Sequence, residues 1–90
     1  MAAISIGDCT VETKAALAGL SVVTIVTPAT ADQADTIDVS TVLSNGWLMG
    51  SAQNATDGNI MLAVGADSTT VTLPSGGTDN EARTVVLLGY

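Results

Sequence analysis

Residues 36–64 constrain the fold of this chain more than any other stretch. They read T-I-D-V-S-T-V-L-S, then Asn45-Gly46, then W-L-M-G-S-A-Q-N-A-T, then Asp57-Gly58, then N-I-M-L-A-V. Asn-Gly and Asp-Gly between apolar runs are the strongest local hairpin signals, because a type I′ turn holds both central residues at positive φ. The stretch predicts a three-stranded antiparallel meander, with hairpins over 36–53 and 47–64 turning at Asn45-Gly46 and Asp57-Gly58. In a strand over 35–43, Ile37, Val39, Thr41 and Leu43 share one face, while Thr36, Asp38 and Ser40 share the other.

The remaining chain reads the same way. S-V-V-T-I-V-T at 21–27 is a strand, ended by Pro28, which has no N–H to donate. T-T-V-T-L at 69–73 and A-R-T-V-V-L-L-G-Y at 82–90 are two more, separated by the turn P-S-G-G-T-D-N. Val, Ile and Thr supply 28 of 90 residues, which favours strands. The expected fold is all-β, a small antiparallel β-sandwich or barrel of six to seven strands. Residues 1–20 are more ambiguous. V-E-T-K-A-A-L-A-G-L at 11–20 contains helix formers, but ten residues are marginal for a helix without support. This segment is read as an N-terminal arm or first strand, preceding a single β-sandwich domain over 21–90.

Size then limits the core. For 8.9 kDa, surface scaling gives roughly 4,800 Å² exposed when folded against roughly 12,900 Å² unfolded. A domain this small usually leans on disulfides, a metal or a partner chain. Cys9 is the sole cysteine and histidine is absent, so neither an internal disulfide nor an ordinary zinc site is expected. Phenylalanine is absent too, leaving Trp47 and Tyr90 as the aromatic residues. A partner chain is the remaining common support.

The charge balance excludes other partners. Net charge is −7, with Lys14 and Arg83 the only basic residues. Nucleic acid needs several phosphates neutralised, and anionic membrane surfaces need basic clusters, so neither is expected as a partner. No run approaches the roughly 20 apolar residues of a membrane span. No basic, then apolar leader opens the chain, so synthesis in the cytoplasm is expected.

Residues that could carry chemistry are few. Serines and threonines lack a histidine base to activate them. Asp32, Asp35 and Asp38 at a spacing of three, and Asp79 with Glu81, read as solvated loop edges rather than as an acid–base pair. Asp57-Gly58-Asn59 and Asp79-Asn80-Glu81 offer oxygen ligands but do not match a calcium loop, and Asp and Asn are ordinary turn formers. Asn54-Ala55-Thr56 fits a glycosylation sequon by chance. Cys9 lies between Asp8 and Thr10, with no basic neighbour to make it reactive. The residues nominate no catalytic, cofactor-binding or metal site, and a non-enzyme is expected.

One pattern does point outward. Val22-Val23, Trp47-Leu48-Met49, Ile60-Met61-Leu62 and Val85 to Leu88 are apolar at consecutive positions. Neighbours in a strand point to opposite faces, so these strands have two apolar faces. A second apolar face resembles half of a subunit interface. Trp47, Met49, Met61, Val86, Leu88 and Tyr90 are the candidate interface residues.

Residues 27–39, T-P-A-T-A-D-Q-A-D-T-I-D-V, and 70–90, T-V-T-L-P-S-G-G-T-D-N-E-A-R-T-V-V-L-L-G-Y, carry a family resemblance. Here the chain resembles small all-β virion proteins of tailed bacteriophages, among them capsid decoration, or cement, proteins. The resemblance implies a structural protein without cofactor that binds the major capsid protein on the capsid surface of the virion. It also implies a homo-oligomer, a trimer favoured. Two alternatives stand beside it: a phage tail or head–tail connector subunit, and a surface carbohydrate-binding or adhesin domain. Attachment by apolar contacts and strand addition, with the arm over 1–20 joining a neighbour's sheet, is expected to be insensitive to salt.

Overall fold

The computed structural model describes residues 2–54, 58–62, 68–75 and 78–90, the side chains of 58–61 excepted. Eight strands lie among the described residues: β1 (Ala3–Ile4), β2 (Thr10–Ala15), β3 (Ser21–Val26), β4 (Thr36–Asp38), β5 (Trp47–Asn54), β6 (Gly58–Met61), β7 (Thr70–Thr72) and β8 (Thr84–Gly89). They form two sheets, one in the order β1-β4-β7 and one in the order β2-β3-β8-β5-β6. The all-β expectation holds, and the arrangement is that of a small β-sandwich. It departs from a purely antiparallel scheme at β1, which runs parallel to β4.

Alternation places the core. From the large sheet Val23, Ile25, Val85 and Leu87 point inward, and from the small sheet and its continuations come Ile37, Val39, Val71 and Leu73. All are buried, and Leu43, Ala31, Ala52 and Trp47 close the cluster. Phe is absent, and Val, Ile and Leu side chains from both sheets make up most of this one buried cluster. The accessible surface, 4804 Å², matches what mass alone predicts for a folded chain of this size.

The meander expected over 36–64 is half present. β5 and β6 pair antiparallel, with Ser51 opposite Met61 and Asn54 opposite Gly58. Gly58 is thus a strand residue rather than half of a two-residue turn, and the connection at 55–57 lies outside the described residues. The first hairpin does not form. β4 pairs with β1 and β7, whereas β5 pairs with β8 and β6. The strand expected over 35–43 stops early because Asp38 accepts the Ser40 N–H at 2.9 Å, giving the backbone a local alternative to the ladder. The Val42 and Leu43 N–H groups then donate to the Val39 carbonyl, and the turn, not a strand, buries Leu43.

Asn45-Gly46 bends the chain from one sheet to the other. The Gly46 N–H donates to the Leu43 carbonyl at 2.9 Å. Gly46 has φ 106°, a region that L side chains rarely adopt, and Asn45 is not at positive φ, so the turn is not type I′. The dipeptide therefore dictates a bend but not the partner of the strand that follows. That partner is the β-branched run of β8, which gives β5 six pairs.

The N-terminal segment is built into the fold. β1 lies beside β4, the Thr36 N–H donates to the Ala2 carbonyl at 2.9 Å, and β2 pairs along all of β3. No α-helix forms over 11–20; a 3₁₀ turn at Leu17–Gly19 joins β2 to β3. Residues 2–4 are thus committed to their own chain's sheet, and they are not a free arm for a neighbour. Among the described residues no helix is long and apolar enough to cross a membrane.

Asp35 ties this start down. Its Oδ1 accepts the Ala2 N–H at 2.8 Å and its Oδ2 accepts the Asp32 N–H at 2.9 Å. These two backbone donors hold the carboxyl below the ordinary value of 3.8. A depressed folded-state value means the stabilisation is present above the ordinary value and is lost as pH falls through the depressed one. Stability should be flat near neutrality and fall in acid. An Asp35→Asn variant should lack part of that acid-range slope and should be less stable at neutral pH by about 1–3 kcal/mol, since one amide oxygen cannot serve both N–H groups. Urea titrations at several pH values check both points.

Candidate functional site

The site that the structure builds is the outer face of the five-stranded sheet. Its register sets three rows. Lys14, Val22, Leu88 and Met49 stand side by side across β2, β3, β8 and β5, followed by Glu12, Thr24, Val86 and Ser51. The third row, Thr10, Val26, Thr84 and Gln53, is mostly polar. Apolar side chains thus gather in the first row, at Val22, Leu88 and Met49, with Val86 and Val26 the apolar residues of the second and third. Met49 and Val86 are exposed there, 48% and 37%, beside half-buried Val22 and Leu88. Between them lies a shallow depression of about 300 Å³ lined by Val22, Met49, Ser51, Val86 and Leu88.

A β-bulge explains how W-L-M serves both faces. Trp47 stands opposite Gly89 and Met49 opposite Leu88, so Leu48 is the extra residue. The bulge turns Trp47 inward and Met49 outward. Trp47 is only 5% exposed, and its indole N–H donates to the Thr70 carbonyl at 2.9 Å. As a candidate interface residue it is therefore corrected to a core anchor linking the two sheets. Met49, Val86 and Leu88 belong to the outer face. Tyr90 is exposed beyond the end of β8, with its N–H donating to the Gly46 carbonyl. The Met61 side chain lies outside the described residues. Val22 and Val26 also present their side chains on this face; the doublet Val22-Val23 already signalled the first of them.

Charge is nearly absent from this face. Glu12 and Lys14 are its charged residues among those described, and they pair at 3.2 Å with both side chains largely in solvent. Such a pair contributes little stability, but it leaves the face with no net charge. Asp32, Asp35, Asp79 and Glu81 sit elsewhere, on the loops after β3 and before β8, at the end of the sheet where Val26 faces Thr84.

There the two acidic stretches meet and hold backbone. Asp32 accepts the Asn80 N–H at 2.8 Å, and Asp79 accepts the Gln33 N–H at 3.2 Å. Glu81 donates its own N–H to the Ala31 carbonyl at 3.0 Å. These contacts use the aspartates as loop fasteners, a role that spacing alone does not reveal. Asp38, the third of the first set, is occupied with Ser40, whose N–H lowers its carboxyl. Among the described residues no group of three or more His, Cys, Asp or Glu is placed to hold a metal ion. Burial, and then the Asp8 carboxylate, push the Cys9 thiol up, away from its nucleophilic thiolate form.

Comparison with protein-family models, with curated proteins and with solved structures gives no match to this chain.

Proposed function

We propose that the protein is a structural subunit of a virus particle, a capsid decoration protein of the tailed-bacteriophage kind that binds the major capsid protein as a homo-oligomer. The observation that supports this most is the outer sheet face: it carries an apolar patch of Val22, Met49, Val86 and Leu88 and no net charge among its described residues, on a chain of net charge −7. A face of this kind suits assembly with protein rather than recognition of ions, phosphates or sugars. The resemblance over residues 27–39 and 70–90 supplies the particle. An adhesin reading loses its aromatic platform with Trp47 in the core.

Attachment to the shell then rests on apolar contact and strand-edge pairing, with little contribution from long-range charge. Co-sedimentation with undecorated capsids should show occupancy that changes little from low to high salt, because screening over about 8 Å acts mainly on exposed charges. Steep loss of binding with salt would overturn the mechanism, and binding to isolated tails but not to capsids would reassign the role. Removing residues 1–7 is not a clean probe of docking, because Ala2 and β1 belong to the fold.

A further inference from the structure

We infer that two copies of the chain join edge to edge along β2, antiparallel and in a single register, with Thr13 opposite Thr13 of the second copy. β2 is an outermost strand of the five-stranded sheet, and its six residues make it the longest sheet edge among the described residues. The bonding pattern fixes which of its groups face the open side. The Thr27 N–H donates to the Arg83 carbonyl at 2.9 Å, continuing the β3–β8 register, so odd-numbered residues of β3 bond β8 and even-numbered ones bond β2. The Ala16 N–H donates to the Leu20 carbonyl at 2.8 Å, which continues the β2–β3 register in the same alternation. Thr10, Glu12 and Lys14 therefore direct their backbone groups to β3, and the N–H and C=O groups of Val11, Thr13 and Ala15 point outward. Among the described residues no backbone hydrogen bond crosses to that side.

The occupant is a second copy because this edge is complementary to itself. Pairing β2 with its own copy about Thr13 sets Val11 against Ala15 twice and Thr13 against Thr13, so every outward N–H meets an outward carbonyl. The same register sets Glu12 against Lys14 twice, at the non-hydrogen-bonded positions where facing side chains come closest. Sliding one strand by a single residue puts outward groups against residues that bond β3. Sliding it by two puts Glu12 against Glu12 or Lys14 against Lys14, which is destabilising. A lysine on an open edge ordinarily discourages pairing. Here Glu12 lies 3.2 Å from Lys14 in its own chain with both side chains largely in solvent, so the charges of the seam balance and are free to pair across it. Two chains of net charge −7 need such a balance where they touch. Arg83 is buried, so Lys14 is the one exposed basic side chain of the protein, and it stands on this edge.

The contact is isologous, with a two-fold axis through Thr13 normal to the sheet. It joins two five-stranded sheets into one and puts the Val22, Met49, Val86 and Leu88 patches of both copies on the same side. The seam gives the homo-oligomer of the proposed function a two-fold axis in place of the trimer that the resemblance implies, and it rests on that reading only in taking the chain to self-associate.

Sedimentation equilibrium of the purified protein, without capsids, tests the seam. A strand edge is narrower than a standard interface, so the average mass should rise with concentration from 8.9 kDa toward twice that value. Glu12→Lys and Lys14→Glu should each self-associate at least roughly tenfold more weakly, because like charges then line the seam. Mixed in equal amounts the two variants should pair with each other, and the double variant Glu12→Lys/Lys14→Glu should self-associate as the wild type does. Both side chains are in solvent, so the substitutions leave the fold intact. A wild type whose Kd is weaker than about 1 mM, single variants of unchanged association, or a mixture that stays monomeric would each overturn the proposal. Capsid co-sedimentation is scored separately: lost pairing with capsid binding intact overturns the seam alone, and pairing without capsid binding supports the seam while overturning the decoration role.

Discussion

Replacing Arg83 by methionine should lower the unfolding free energy by about 3–5 kcal/mol, the loss typical of breaking a buried charged network. Arg83 is only 3% exposed. Its Nη1 donates to the Ala31 and Glu81 carbonyls at 2.9 and 3.0 Å, and its Nη2 donates to the Thr78 carbonyl. Its backbone N–H donates to Thr27 Oγ1 at 2.8 Å, and the Thr27 N–H returns to the Arg83 carbonyl at 2.9 Å. One side chain thus fastens the loop after β3 to the loop before β8. Methionine fills much of the space but leaves those carbonyls without their donor, and each unmet partner of a charged group is costly. Lysine should recover little, because its donors sit on a single point and cannot span three carbonyls. Urea unfolding followed by Trp47 fluorescence checks this: the midpoint should drop with the slope unchanged. A midpoint within experimental error of wild type would show that the network contributes nothing net.

Gly89→Ala should cost about 3 kcal/mol, the upper end of overpacking penalties. An added Cβ would lie 2.3 Å from the Gly46 carbonyl oxygen, 2.9 Å from the Trp47 Cα and 3.0 Å from Leu43 Cδ1. Two of these are backbone atoms, so no rotamer change relieves the clash. Gly46 is itself held at φ 106°, and its carbonyl accepts the Tyr90 N–H at 3.2 Å. The turn, the bulge and the last strand would all have to move. Gly19→Ala is the control: nothing lies within 4 Å of its added Cβ, and the cost is the φ of 76° alone, about 1 kcal/mol. Equal thermal shifts for the two variants would refute the close-approach argument.

The composition and periodicity of this chain determined its class and part of its core. Ile37, Val39, Val71 and Leu73 follow from period-two alternation, because parity sets the face along an unbroken strand, whereas in β3 and β8, apolar at consecutive positions, packing chose Val23, Ile25, Val85 and Leu87. The doublets that break the alternation likewise announced a second apolar face, and β3, β8 and the outward half of β5 present it. The β5–β6 hairpin was legible as well, but tertiary structure decided the other pairings. Asn45-Gly46 marks a bend, but ladder formation depends on a partner distant in sequence, and β8, more than 30 residues on, outcompetes β4 for β5. It alone decided that Trp47 faces in and Met49 out, since a one-residue bulge shifts parity without a sequence mark. It also set the roles of Asp32, Asp35, Asp79 and Arg83. The aspartates were expected to form a solvated edge, yet they and Arg83 each bind backbone at least three residues away or across loops, and the partner of a polar group is set by where the chain returns, not by its neighbours.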